Sequence, residues 1–135
     1  MPPPGADFLI VGVCGMKKTL DALKSRGCDV DGALGRMLGD ADFMLACVRM
    51  ALDDADFGKL GEALEQGDAG QAFERAHTLK GVMANTGLVP LYDSLIKIVE
   101  PLRAGHSENL GGEYARLMRL RDEMRDITGK NGEVR

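Results

Sequence analysis

The sequence predicts an all-α fold, an antiparallel up-down four-helix bundle with short accessory N-terminal helices. Three observations carry that reading. Hydrophobic residues make up 44% of the chain but aromatic residues only 4%, so the core is built from Leu, Ala, Met and Val, with Lys, Arg and Glu outside, a mixture that favours helices over sheets. Apolar residues recur at three- and four-residue spacing through the longer segments. Short polar connections join those segments, and short connections make successive helices antiparallel neighbours. At 135 residues the chain is one domain, with no repeat at a fixed period.

The elements follow in order. Lys17 to Arg26 reads as a short helix stopped by Gly27. Asp31 is the expected N-cap of a second short piece, Gly32 to Leu38, ended by Gly39. Asp40 caps a stronger run from Ala41 to Leu52, and Asp53-Asp54-Ala55-Asp56 breaks it before Phe57 to Gln66. Gly67-Asp68 is a helix stop followed by the next N-cap. From there a helix runs to about Thr86, with Ala69, Ala72, Phe73, Ala76, Leu79 and Met83 as its core stripe. Gly87 closes it. Pro90 to Arg103 forms the next helix, with Pro101 distorting its last turn. Ser107 or Asn109 caps a final helix from about Leu110 to Ile127, and residues 129–135 read as a frayed tail.

Composition excludes several function classes. The net charge is −4. Arg116, Arg119, Arg121 and Arg125 alternate with Glu113, Asp122, Glu123 and Asp126, which makes a solvated helix face and not a nucleic-acid patch. Cys14, Cys28 and Cys47 are odd in number and widely spaced, without the four-ligand arrangement of a zinc site. They read as reduced thiols of a cytosolic protein, so no metal site is expected. The apolar run Phe8-Leu9-Ile10-Val11-Gly12-Val13-Cys14-Gly15 is too short to span a bilayer, which needs about 20 residues. It is expected to form a short extended arm or a buried strand-like tail, at least partly covered.

The chemistry concentrates at His77. It lies at mid-helix with Lys80 one turn on and Gly81 beside it. Imidazole is a nucleophile near neutral pH. A phosphoryl group on its ring nitrogen would carry about two negative charges, by analogy with other phosphorylated side chains, and Lys80 could partly neutralise them. Glycine costs a helix interior about 1 kcal/mol relative to alanine, and at Gly81 it leaves room for something large to approach the ring. No Gly-rich phosphate loop and no carboxylate cluster for Mg²⁺ is present. The site could hold a phosphoryl group but could not readily take one from ATP. His106 reads as a plain loop histidine.

The stretch Glu74-Arg75-Ala76-His77-Thr78-Leu79-Lys80-Gly81-Val82-Met83-Ala84-Asn85-Thr86-Gly87 resembles the signature of histidine-containing phosphotransfer (HPt) domains. The resemblance covers about residues 28–128, between an N-terminal arm and short helix (1–27) and the tail. It implies a four-helix bundle with accessory helices that carries phosphoryl groups between receiver-domain aspartates in multistep relays. It also implies His77 as phosphoacceptor, Lys80 as the charge-stabilising residue and Gly81 as the position kept small for docking. Glu74, Ala84 and Asn85 become candidates for the partner-binding rim. The implied partners are response-regulator receiver domains or a hybrid histidine kinase, which supply Mg²⁺, while the chain itself needs no cofactor. It is expected to be a cytoplasmic monomer and a carrier, not an enzyme with its own ATP site.

Two departures stand out. Val82 and Met83 occupy positions where many relatives have small residues. Many relatives also place a polar residue on the following helix near the imidazole, where the stretch Ile96 to Glu100 offers only Lys97 and Glu100. The second departure supports an alternative, a helical adaptor that binds a receiver or kinase domain without transfer. A chemotaxis-type kinase fragment ranks below both.

Overall fold

The computed structural model describes the backbone of residues 4–132 and the side chains of residues 15–129. Seven helices and no strand are present among them: α1 (Pro4–Ser25), α2 (Val30–Arg36), α3 (Ala41–Leu52), α4 (Asp56–Glu65), α5 (Ala69–Asn85), α6 (Val89–Arg103) and α7 (Gly111–Gly132). Helices α3 and α4 are joined by the short connection Asp53-Asp54-Ala55. Helix α5 packs between α4 and α6, α6 packs on α7, and α7 closes the ring against α3 and, more lightly, α4. That is the four-helix bundle, with α1 laid on α7 and α2 bridging α1 and α3.

Local chemistry sets most boundaries. Asp40 and Asp68 are N-caps whose carboxylates accept the amides of Phe43 at 3.0 Å and Gln71 at 3.1 Å, each filling an orphan donor of the first turn. Between α3 and α4, Asp54 Oδ1 accepts the Asp56 amide at 2.8 Å. The α5–α6 turn needs glycine: Gly87 has φ +73, and a Cβ there would run into the Asp29 backbone carbonyl. The Asp29 amide in turn donates to the Gly87 carbonyl at 2.8 Å, so this turn ties α5 and α6 to the accessory helices.

The core runs through all four bundle members. Phe57, Leu60, Leu79, Met83, Leu91, Leu95, Ile98 and Leu117 are fully buried. Truncating one of them to alanine typically costs about 2–5 kcal/mol.

Several sequence expectations need correction. The N-terminal element is not a short helix with an extended arm, because α1 is one helix of 22 residues that includes residues 8–15. Pro4 opens it, in the first turn where proline loses nothing. A continuous apolar run has no period to distinguish helix from strand. Whether residues 8–14 are covered lies outside the described side chains. Asp29, and not Asp31, caps α2, accepting the Gly32 amide at 3.0 Å. Neither Ser107 nor Asn109 bonds the start of α7, and Asn109 instead takes a left-handed φ of +66, a conformation that asparagine tolerates. At the C-terminus α7 continues through Gly132. Thr128 is buried there: its hydroxyl donates to the Met124 carbonyl at 2.9 Å, and Arg49 donates to the Thr128 carbonyl at 3.3 Å. By contrast α6 ends at Arg103 as expected, with Pro101 inside it.

Candidate functional site

Helix α5 presents two unlike faces. Ala72, Ala76, Leu79 and Met83 point into the core and are fully buried. The opposite face carries Glu74, His77, Thr78, Gly81, Ala84 and Asn85, all exposed, with Lys80 half-buried at its flank. The 3.6-residue period places these side chains on one outward stripe. The structure thus brings together His77, Lys80, Gly81, Glu74, Ala84 and Asn85 on one open surface.

The geometry around His77 is sparse. Among the described residues its ring nitrogens make no hydrogen bond, and its one ring contact is with Phe73, centroids 5.4 Å apart and planes 18° apart. Lys80, one turn C-terminal, has no carboxylate within ion-pair distance among the described residues. Its ammonium is therefore available to an anion brought to the imidazole. The Thr78 hydroxyl is occupied, donating to the Glu74 carbonyl at 2.9 Å. Arg75 turns away toward α4 and pairs with Asp56 at 3.3 Å, so it fixes α5 in the bundle.

Gly81 is the most telling residue. A Cβ built there would meet nothing within 4 Å. Its backbone is ordinary helix, so neither packing nor conformation in the isolated chain calls for glycine.

At the C-terminal end of the face, Arg36 reaches from α2. Its Nε donates to the Asn85 carbonyl at 3.1 Å and its Nη2 to the Ala84 carbonyl at 3.0 Å. Carbonyls of a last turn have no helical partner, and a guanidinium there also suits the helix dipole. Beside this contact lies an open groove of about 530 Å³, whose lining includes Met37, Cys47, Met50, Val82, Asn85 and Thr86. Met50 is 74% exposed and Leu38, in the α2–α3 turn, 96%.

Sequence reasoning missed two residues of this region. Phe73 falls on the 3,4 pattern and reads as core, yet it is only half-buried and flanks the bundle interior. Its position four residues before His77 was the available signal. Arg103 lies beyond the stretch Ile96 to Glu100, and its guanidinium carbon sits 5.4 Å from the Phe73 centroid. The other histidine, His106, lies in the α6–α7 loop with its Nδ1 3.2 Å from Glu108. The Glu108 carboxyl is held below its ordinary range, first by a hydrogen bond from its own amide and further by His106. No group of three or more His, Cys, Asp or Glu among the described residues could hold a metal ion. No described helix is long and apolar enough to cross a membrane.

The family model described as Hpt domain matches residues 50–128. That span holds the end of α3, all of α4, α5 and α6, and most of α7. No curated protein and no solved structure matches the chain. The family match covers more than half of the sequence and includes the whole histidine-bearing helix, and the chain therefore belongs to the Hpt domain family.

Proposed function

We propose that this chain is a phosphorelay intermediate, accepting a phosphoryl group on His77 from a receiver-domain aspartate and passing it to the aspartate of a second receiver. Membership of the Hpt family implies histidine phosphotransfer, and the local geometry supports His77 as the acceptor. The observation that carries the assignment is the conjunction on α5 of an exposed imidazole, an ammonium without an ion partner and a helix glycine that packs against nothing.

The transfer is a substitution at phosphorus. The unprotonated ring nitrogen of neutral imidazole attacks, and an N–P bond forms as the P–O bond to the receiver's aspartate breaks. The electron pair of that bond returns to the carboxylate. Lys80 offsets charge on the bound phosphoryl group, and Gly81 lets the receiver's active site come close to the ring. Mg²⁺ comes with the receiver, and this chain brings no cofactor and no ATP site. Positioning and electrostatics account for most of the catalysis in phosphoryl transfer, so the division of labour is chemically sufficient.

Docking uses the outward face of α5 together with the adjoining groove. Met37, Met50 and Val82 give an apolar centre, and Glu74, Ala84 and Asn85 lie on the rim. Specific interfaces share that pattern of apolar middle and polar edge. The partners are receiver domains, free or within a hybrid histidine kinase, and the chain works as a cytoplasmic monomer apart from nucleic acid and membrane.

The test is phosphotransfer from a panel of phosphorylated receivers to the wild type and to His77→Gln. Acid-labile, base-stable label on the wild type alone is the expected result. Receiver binding without label on the wild type would overturn the carrier reading in favour of a non-transferring adaptor.

A further inference from the structure

A nucleophilic imidazole must be aimed as well as exposed. The lone pair lies in the ring plane, so that plane sets the direction of attack, and in-line transfer needs the reacting atoms aligned. Rotation about the bond to an imidazole is broad and roughly two-fold, so an unconstrained ring spends most of its time misdirected. Among the described residues no hydrogen bond constrains the ring of His77.

One contact of defined geometry is present, the near-parallel stack on Phe73 at 5.4 Å and 18°. Residues 73 and 77 are one turn apart and lie on the same stripe of α5. Phe73 is engaged in turn from the neighbouring helix by Arg103, over its ring at 5.4 Å. Glu100 Oε2 lies 3.7 Å from Arg103 Nε. The contacts therefore run from α6 to α5 in the order Glu100, Arg103, Phe73, His77. A stack differs from a hydrogen bond in one useful respect: it fixes the ring plane while leaving both nitrogens open, so neither tautomer is excluded and neither nitrogen is withdrawn from reaction.

We infer that Phe73, seated by Arg103, is the positioning residue that fixes the plane of the His77 imidazole for phosphoryl transfer. The inference deepens the carrier reading and rests on it. Phe73 contributes no reacting group. Arg103 acts through Phe73 by holding a half-exposed ring in one rotamer.

The test uses the full chain and phosphoramidate, a small donor that needs no protein partner. Its P–N bond breaks and ammonia leaves as the N–P bond to the imidazole forms, and the proton on the other ring nitrogen passes to solvent. The variants are Phe73→Leu, Phe73→Tyr and Arg103→Gln. Phe73→Leu is expected to slow phosphorylation at saturating donor about two- to tenfold, the factor corresponding to an aromatic pair, without moving the half-saturating concentration. Phe73→Tyr keeps the ring and restores the rate, and Arg103→Gln falls between. In the proton spectrum the imidazole carbon-bound protons, shielded by the stacked ring, move downfield in Phe73→Leu and stay in place in Phe73→Tyr. A wild-type rate with unmoved resonances in Phe73→Leu would overturn the inference. So would a Phe73→Tyr variant as slow as Phe73→Leu, because the residue would then serve the fold alone. If the phosphoramidate results hold while no receiver labels the wild type, the orienting role of Phe73 stands and the relay reading fails by itself.

Discussion

Two phenylalanines in this bundle meet an arginine at the same 5.4 Å, Phe57 with Arg121 and Phe73 with Arg103, and their surroundings are otherwise opposite. Phe57 is fully buried. Tyr114 crosses from α7 to donate its hydroxyl to the Phe57 carbonyl at 2.8 Å. Burial pushes that hydroxyl above its ordinary value, with Arg121 working against the shift. Gly61 makes the crossing possible, because a Cβ there would collide with the tyrosine hydroxyl. Phe73 is half-exposed, its ring neighbour is the exposed His77, and the glycine beside it, Gly81, looks into open space. Each helix accepts an interior glycine at a cost of about 1 kcal/mol. At Gly61 the fold accounts for it. At Gly81 no contact inside the molecule does, and the proposed docking of a receiver supplies a reason.

The contrast can be broken by exchanging the two outcomes. Gly81→Ala is expected to raise folding stability by about 1 kcal/mol, since the methyl gains helix propensity and touches nothing. It should slow receiver-dependent transfer by about ten- to a hundredfold, as one methyl forced into a close-fitting contact costs about 1–3 kcal/mol. Urea unfolding and transfer kinetics on the same sample decide it, and a stabilised variant with an unchanged transfer rate would remove the docking explanation. Gly61→Ala should behave in the opposite way. Overlap with Tyr114 outweighs the propensity gain and leaves a net loss of about 1–2 kcal/mol. In a Tyr114→Phe background the loss should shrink, because the two positions couple directly.

A charge change on the open face sharpens the same contrast with a smaller effect. Lys80→Gln should leave stability within about 0.5 kcal/mol of the wild type, as expected for a surface substitution that breaks no pair. It should lower phosphoryl uptake by about three- to tenfold at low salt, less at 1 M, where the Debye length contracts to about 3 Å. A salt-independent defect would show that Lys80 acts by packing and not by charge.

The two regions also differ in how far they could be read from sequence. The aspartate caps at 40 and 68, the glycine stops at 67 and 87, and the spacing of His77, Lys80 and Gly81 are local signals, and the structure places the corresponding helices and side chains where those signals put them. Contacts between distant residues left no such trace. Arg36 closes the end of α5 from 48 positions away, and Tyr114 bonds Phe57 across 57. Phe73 packs against the core as its spacing suggests but only half-buried, because periodicity separates a core face from a solvent face and does not resolve the boundary between them, where this ring lies. The apolar run of α1 was misread for the opposite reason, since a segment apolar all round has no face for periodicity to find.

The interior and the groove beside the open face each hold a cysteine, and these give the mildest test. Cys28 is buried, with its sulfur 3.8 Å from that of Met124, and burial pushes its thiol up to about 11. Cys47 is half-buried and lines the groove beside Val82 and Asn85. Since the thiolate is the reactive form, alkylation at pH 8 followed by peptide mapping should modify Cys47 first, with Cys28 reacting only as the protein unfolds. The raised value also carries a stability signature. An unfolded thiol loses its proton near pH 8.5, so above that pH the unfolded chain binds fewer protons than the folded one and stability falls. The contribution is complete below the unfolded value and is lost as pH rises through about 11. Other groups titrate in the same window, so the measurement is the difference between wild type and Cys28→Ala in urea midpoint from pH 8 to pH 11. The wild type should decline more steeply. Parallel curves would mean that the thiol ionises as freely in the folded protein as in the unfolded chain, and the division between a sealed interior and an open α5 face would then fail at this end of the bundle.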